Sequence, residues 1–239
     1  MMTWFEKLGF DDNPFLSDPR KNHDKLINLE TAEEEIFYRI SSGSILVVEG
    51  SPGSGRTSLL MMAANKFGGK KNVVYVDCRI LDKNLNITHV LQDKYGIWGR
   101  MLNKTPKNMV VLLDNINELS KQNTERLKFY FDQDYIKSII FTTDNYKKAK
   151  FSDSLRDRIG NRFVKIPDLN DSDAVEIIKS RVGNNEIFNQ ELITKIFKIS
   201  GNSPKRLLEN CSKVADVALK KGRKRVQLVD LKILTGDKK

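Results

Sequence analysis

Apolar residues along this chain fall into two regimes. In the first, runs at 45–48, 73–76, 110–113, 139–142 and 163–166 are rich in Val, Ile and Leu and scarcely interrupted by polar residues. A short, nearly continuous apolar run reads as a strand covered on both faces, as in a parallel sheet. Helical patterns separate the runs at 57–66, 87–102, 123–132 and 154–159. Such alternation implies right-handed crossovers and an αβα layering. A short helix at 31–40 comes before the first strand; Thr31 can cap it, and Glu33 to Glu35 suit its positive end. Residues 1–28 read as irregular, because Pro14 and Pro19 push their predecessors out of the helical region. In the second regime, after Pro167, the strand pattern stops. Segments 171–182, 190–199 and 204–220 are helical, and 226–234 is a candidate fourth helix after Gly222. Leu192, Ile193, Ile196 and Phe197 form one apolar stripe. The boundary falls at about 167–170. It separates an α/β domain with an N-terminal extension, residues 1–168, from a small all-helical domain, 169–239.

Composition narrows the setting. The chain has 239 residues, of which 39% are hydrophobic and 30% charged, as in a globular protein rather than a disordered one. No apolar run reaches the length of a membrane span. The start, Met1-Met2-Thr3-Trp4-Phe5-Glu6, lacks the basic and apolar regions of a secretory signal. Cys78 and Cys211 have no metal-ligand spacing, so reduced thiols in the cytoplasm are the simple expectation. The net charge is +10, and residues 201–239 hold eleven Lys/Arg against four Asp/Glu. That concentration, with Gly222-Arg223-Lys224-Arg225 at its centre, suggests a footprint for a polyanion such as DNA. The alternative is a solvated helical face and a charged tail.

The most specific motif is Gly50-Ser51-Pro52-Gly53-Ser54-Gly55-Arg56-Thr57, followed by Ser58. It links the first strand to the helix at 57–66, which is the setting a phosphate-binding loop requires. Glycines let backbone N–H groups turn inward and approach a phosphate closely. The helix N-terminus adds partial positive charge, and the Thr57 hydroxyl is placed to hold Mg²⁺. Arg56 stands where this motif has lysine. A guanidinium is planar and larger than an ammonium and does not substitute freely.

The run Met109-Val110-Val111-Leu112-Leu113 ends in Asp114-Asn115. Asp114 is the matching strand-end acid, expected to hold Mg²⁺ directly or through water. In hydrolytic P-loop proteins a glutamate follows and polarises the attacking water. Asn115 can position water but cannot accept its proton. Glu118 is close in sequence.

With these motifs in place the sequence resembles the AAA+ superfamily over nearly its whole length, and within it the initiator and clamp-loader branch. Leu8-Gly9-Phe10-Asp11-Asp12-Asn13-Pro14-Phe15, with Asp18-Pro19-Arg20, also resembles the opening of AAA+ ATPases related to secretion and to transposition target selection. Ile139-Ile140-Phe141-Thr142-Thr143-Asp144-Asn145 is similar to the sensor-1 strand, with Thr143 or Asp144 as the best match and Asn145 as a shifted alternative. Ser154-Leu155-Arg156-Asp157-Arg158-Ile159 resembles the arginine-finger segment, where Arg158 matches best. Gly201-Asn202-Ser203-Pro204-Lys205-Arg206 resembles the sensor-2 motif, with Arg206 reaching the nucleotide. The stretch at 215–234 is similar to the last lid helices of replication initiators, which carry a winged-helix domain afterwards. Ending at Lys239, this sequence is expected to hold no such domain, and the link from Cys78 to Met109 is short for an inserted DNA-binding hairpin.

The resemblance implies a P-loop αβα core with a five-stranded parallel sheet and a helical lid. It implies ATP or ADP with Mg²⁺ bound between them, and nucleotide-controlled assembly with other AAA+ subunits. The expected setting is a DNA transaction such as replication initiation, clamp loading or target-DNA selection. Two other readings stand beside it: a hydrolysis-deficient structural subunit, and a secretion-associated ATPase without a nucleic-acid role.

Overall fold

The computed structural model describes residues 3–21, 26–68, 73–80 and 107–236. The helix expected at 87–102 and the Cys78–Met109 link lie outside them. The chain divides into two compact units. One comprises Leu29–Ser51 and Arg56–Ile166, and the other Met1–Asn28, Pro52–Gly55 and Pro167–Lys239.

The first unit is built on a five-stranded parallel sheet. Its strands are β1 (Ile45–Glu49), β2 (Val73–Asp77), β3 (Met109–Asp114), β4 (Ile136–Thr143) and β5 (Phe163–Lys165), in the order β2-β3-β4-β1-β5. All six residues of β3 are buried, as its position inside the sheet demands. β5 is different: it pairs only with β1, and Phe163 is 39% exposed. A strand at the edge, with one paired side, does not need the apolar continuity that its sequence suggested. Among the described residues of this unit, helices α1 (Glu30–Ser42), α2 (Arg56–Phe67), α3 (Lys121–Asp132) and α4 (Asp153–Ile159) accompany the sheet. Ser120 and Ser152 cap α3 and α4 by accepting the N–H of Asn123 and Leu155, each satisfying one of the four orphan donors at a helix start. α1 begins differently from the expectation. Leu29 occupies the cap position with no side-chain bond, and Thr31 is one residue inside the helix. The Leu29 side chain is buried, so packing rather than a hydroxyl fixes this start.

The second unit is helical. It contains α5 (Asp171–Val182), α6 (Gln190–Ile199) and α7 (Pro204–Lys220). Asn170 and Asp173 form a capping box on α5. Asn189 caps α6, Ser203 caps α7, and Pro204 fills a first-turn position that needs no N–H. The stripe of Leu192, Ile193, Ile196 and Phe197 is buried against α5 and α7 residues. The expected helix at 226–234 is instead a 3-10 turn, Leu228–Leu231, running into a four-residue helix α8 (Lys232–Thr235). The turn tightens because the Asp230 carboxylate accepts the Gln227 N–H at 3.0 Å.

The opening segment precedes the sheet in the chain, yet its side chains join the helical core. Phe15 is 2% exposed. Its ring stacks on Trp4 at 5.8 Å and meets Phe188 edge-on at 5.6 Å. The Asn13 carboxamide accepts the Phe15 N–H at 3.0 Å and donates to Ser212 Oγ at 2.9 Å. The Asn13-Pro14-Phe15 motif thus works as a turn that inserts an aromatic plug.

The basic run is less available than its formal charge suggests. Arg223 bonds to Asp230, which is fully buried, and Lys221 Nζ lies 3.9 Å from the same carboxylate. Arg225 pairs with Glu186, and Lys220 with Asp216 at 2.7 Å. A buried carboxylate stripped of its cation is costly, whereas exposed pairs contribute little. Arg223→Ala is therefore expected to destabilise the helical unit by about 2–4 kcal/mol, while Lys220→Ala changes stability by less than about 0.5 kcal/mol. Urea denaturation of the two variants measures the difference.

Candidate nucleotide site

In the sheet unit the site is centred on a carboxylate. Asp114 ends β3 with no exposed surface, so each oxygen needs a donor. Thr57 Oγ1, in the first turn of α2, donates to Asp114 Oδ2 at 2.6 Å, and Tyr75 OH on β2 donates to the same oxygen at 3.0 Å. Thr142 Oγ1 on β4 makes a short bond to Oδ1 and accepts the Asn115 N–H at 3.0 Å. Burial, and then the Asp114 charge, push the Tyr75 phenol well above its ordinary value, so it stays a donor. Burial likewise raises the Cys78 thiol to about 12, with Asp114 adding to the effect.

Beside the carboxylate lies a second pair. Arg56 is 8% exposed. Its Nη2 donates to Asn115 Oδ1 at 3.4 Å, a long bond. Burial lowers the Arg56 pKa, against the opposing pull of Asp114 and Asp144. Arg56 Nη1 is buried with no hydrogen-bond partner among the described residues, while the Asn115 carboxamide lies toward Asp77 and, after Arg79, helps to hold that carboxyl below its ordinary value. Asn115 also holds a left-handed backbone, φ 56°. The pair presents donors, and the side chain at position 115 is an amide rather than a carboxylate.

Thr57 and Asp114 fit a divalent cation. Their oxygens stand 2.6 Å apart, close to the ~2.9 Å edge of an octahedron with Mg–O bonds of about 2.05 Å. One hydroxyl and one carboxylate from the protein, with phosphates and water supplying the rest, is a common Mg²⁺ donor set.

The residues Pro52–Gly55 group with the helical unit. Gly53 has φ +84°, and a Cβ there would fall 2.8 Å from Ser203 Oγ and 3.0 Å from Lys205 Cβ. Gly55 has φ +100°. Both conformation and close approach therefore demand glycine at Gly53. In the same unit Arg206 is exposed on the first turn of α7.

No protein-family model matches the chain, and no curated protein sequence does. Solved structures match it in shape. Orc1 of Aeropyrum pernix, in complex with DNA, superposes with a TM-score of 0.74 at 12% identity, covering 89% of this chain and 65% of that one. Cdc6p of Pyrobaculum aerophilum gives 0.69 at 14% identity, covering 87% and 66%. The Thermotoga maritima RuvB Holliday junction branch migration motor gives 0.65 at 16% identity, covering 87% and 69%. The chain has the AAA+ fold. It spans about two thirds of the length of these structures.

Within this AAA+ fold the remaining positions separate clearly. Thr143 ends β4, fully buried. Its Oγ1 donates to Asn117 Oδ1 at 2.7 Å and accepts the Asn145 N–H at 3.2 Å, while its carbonyl accepts the Gly50 N–H at 3.1 Å. Asp144 is exposed and Asn145 caps the next turn through Lys148 N–H. Gly50 is buried and Ser58 half-buried. Of the neighbouring arginines, Arg156 is used internally: its Nη2 donates to the Ala149 carbonyl at 2.6 Å. Arg158 is half exposed, 3.1 Å from Asp132 and stacked over Phe131. The Glu118 side chain lies outside the described residues.

Tyr75 and Thr142 were not singled out from sequence. The signal was in the sheet order: β2 and β4 flank β3, and each carries a hydroxyl close to the register of Asp114. Thr142→Val should cost about 1–3 kcal/mol by stripping a donor from a buried carboxylate, and Thr142→Ser should recover most of it. Denaturant titrations of the three proteins give the test.

Proposed function

We propose that this chain binds ATP or ADP with Mg²⁺ and hydrolyses it weakly or not at all. We further propose that nucleotide state governs its assembly with AAA+ subunits in a DNA transaction such as replication initiation, clamp loading or target-DNA selection. The observation that carries the reading is the side-by-side placement of Thr57–Asp114 and Arg56–Asn115. The first pair suits a Mg-nucleotide. The second offers donors to phosphate and no base to water. The bound metal supplies charge neutralisation at the phosphates. The protein's own part is to cradle phosphate with the loop containing Gly50, Pro52, Gly53, Ser54 and Gly55, to seat the metal with Thr57 and Asp114, and to add Arg56 and Ser58 at the helix start. Thr143 and Arg206 are proposed as the sensor residues and Arg158 as a finger offered to a neighbour. The overall likeness to DNA-bound Orc1 and to the RuvB motor, together with net charge +10, supports the DNA setting. The Arg56–Asn115 pair favours one variant of this reading, a subunit that holds nucleotide without consuming it.

Calorimetry should detect Mg-ATP and Mg-ADP binding, with thermal stabilisation as a second readout; silence in both at millimolar nucleotide defeats the proposal. Turnover by the pure protein should stay well below about 1 s⁻¹, the ordinary enzyme range. Asn115→Glu alone should gain little, because the new carboxylate meets Arg56 and is held by it. Arg56→Lys with Asn115→Glu should raise turnover by ~10²-fold or more. A wild-type rate near the enzyme range that vanishes in Asp114→Ala would show that both residues are working variants.

Duplex DNA binding should weaken steeply with salt. Neutralising exposed Lys220 and Lys224 should reduce the slope of log affinity against log salt by roughly 0.9 for each phosphate deprived of its cation. Arg223 and Lys221 are left intact, since they hold Asp230. An unchanged slope would move the footprint elsewhere.

A further inference from the structure

The helical unit carries an open groove of about 490 Å³ between the end of α6 and the segment from Leu228 to α8. Ile199, Leu228 and Leu231 supply its apolar floor, and Lys195, Lys198 and Lys232 its rim. Ile199 is 40% and Leu228 58% exposed. Among the described residues, no acidic side chain lines it. Lys195 and Lys198 rest on Glu191 at 2.5 Å and Asp171 at 3.4 Å, exposed pairs that exchange partners at little cost. Exposed apolar surface ringed by charge of one sign marks a contact site, and its complement is an apolar anchor flanked by carboxylates. A nucleic acid fits poorly. The described lining has no aromatic ring on which bases could stack, and a phosphodiester leaves the apolar floor wet.

Such a complement exists on this chain. On α1, Ala32, Ile36 and Ile40 are buried. The opposite stripe exposes Glu30, Glu34 and Tyr38, spaced at four-residue intervals along about 12 Å of helix. Tyr38 is 60% exposed, and tyrosine is favoured at interfaces because it brings a large rigid surface with a polar tip. We propose that the lysine-rimmed groove receives α1 of a second copy of the chain, with Tyr38 over Ile199, Leu228 and Leu231, and Glu30 and Glu34 facing Lys195, Lys198 and Lys232. The contact is head-to-tail: each copy keeps one groove and one helix, so association continues into a ring or a filament. A single helix in a groove buries less than the ~1,000 Å² of a firm interface, so the association is weak and salt-sensitive. The inference deepens the assembly part of the proposed function, on which it rests, by naming its surfaces.

Sedimentation of the full chain tests it. The mean mass should rise with concentration at about 0.05 M salt and fall back toward monomer at about 0.5 M, where exposed charges are screened. A groove variant, Leu228→Asp, and a helix variant, Glu34→Lys with Tyr38→Ala, should each weaken association by about tenfold or more. Both side-chain sets are exposed, so thermal melts should match wild type; Lys198→Glu serves as a second groove variant if one does not. Mixing the two variants leaves one good groove and one good helix, and should yield a dimer and nothing larger. A wild-type monomer at all concentrations overturns the inference, as does association that ignores both variants or a mixture that gives no dimer. A groove variant that loses DNA affinity while its mass profile is unchanged also overturns it and assigns the groove to nucleic acid. Calorimetry with Mg-ATP on the same samples keeps the two proposals apart: lost nucleotide binding with intact self-association refutes only the nucleotide reading.

Discussion

A carboxylate with no exposed surface governs the sheet unit. Removing Asp114 from water is expensive unless each oxygen finds a donor, and the donors come from three directions: Thr57 from α2, Tyr75 from β2 and Thr142 from β4. Strand order, strand register and the start of α2 must all be correct for that convergence. The acid that seats a metal in the proposed function is also the point at which three separate elements are held in alignment. A substitution there is read in stability as well as in activity.

Much of this was legible from the chain. Near-continuous apolar runs at 45–48, 110–113 and 139–142 announce covered parallel strands because no side of them can face water, and β1, β3 and β4 are the inner members of the sheet. The loop from Gly50 to Thr57 is legible because its glycines answer a backbone requirement that few other residues meet. Less legible were features that depend on tertiary neighbours. Tyr75 looks like one more strand residue until β2 is known to lie beside β3. Thr31 looks like a cap until Leu29 is seen to be held by packing. The segment at 226–234 has helical composition, but Asp230 pulls the chain into a 3-10 turn by binding Gln227 N–H and Arg223 together.

Net charge shows the same limit. A formal sum weighs every lysine and arginine equally, whereas the fold commits several to its own acids. Arg223 neutralises a buried carboxylate, so its charge is structural. Lys220 and Lys195 sit in exposed pairs that release them readily. A partner therefore meets a pattern of available cations that differs from the formal sum, and an apolar floor among lysines points to a different kind of contact from a bare basic stripe.

The left-handed backbone at Asn115 bears on how such a site could change over time. Asparagine visits that region with little strain because its short carboxamide tolerates it; a longer side chain loses roughly 1–2 kcal/mol there. Glutamate at this position would meet a strained torsion, and the guanidinium that stands 3.4 Å from the present amide would draw its carboxylate into an ion pair and away from water. A torsion and a neighbouring side chain thus set the terms for any carboxylate at position 115: the backbone asks it to accept a left-handed torsion, and Arg56 decides whether its oxygens are free or paired.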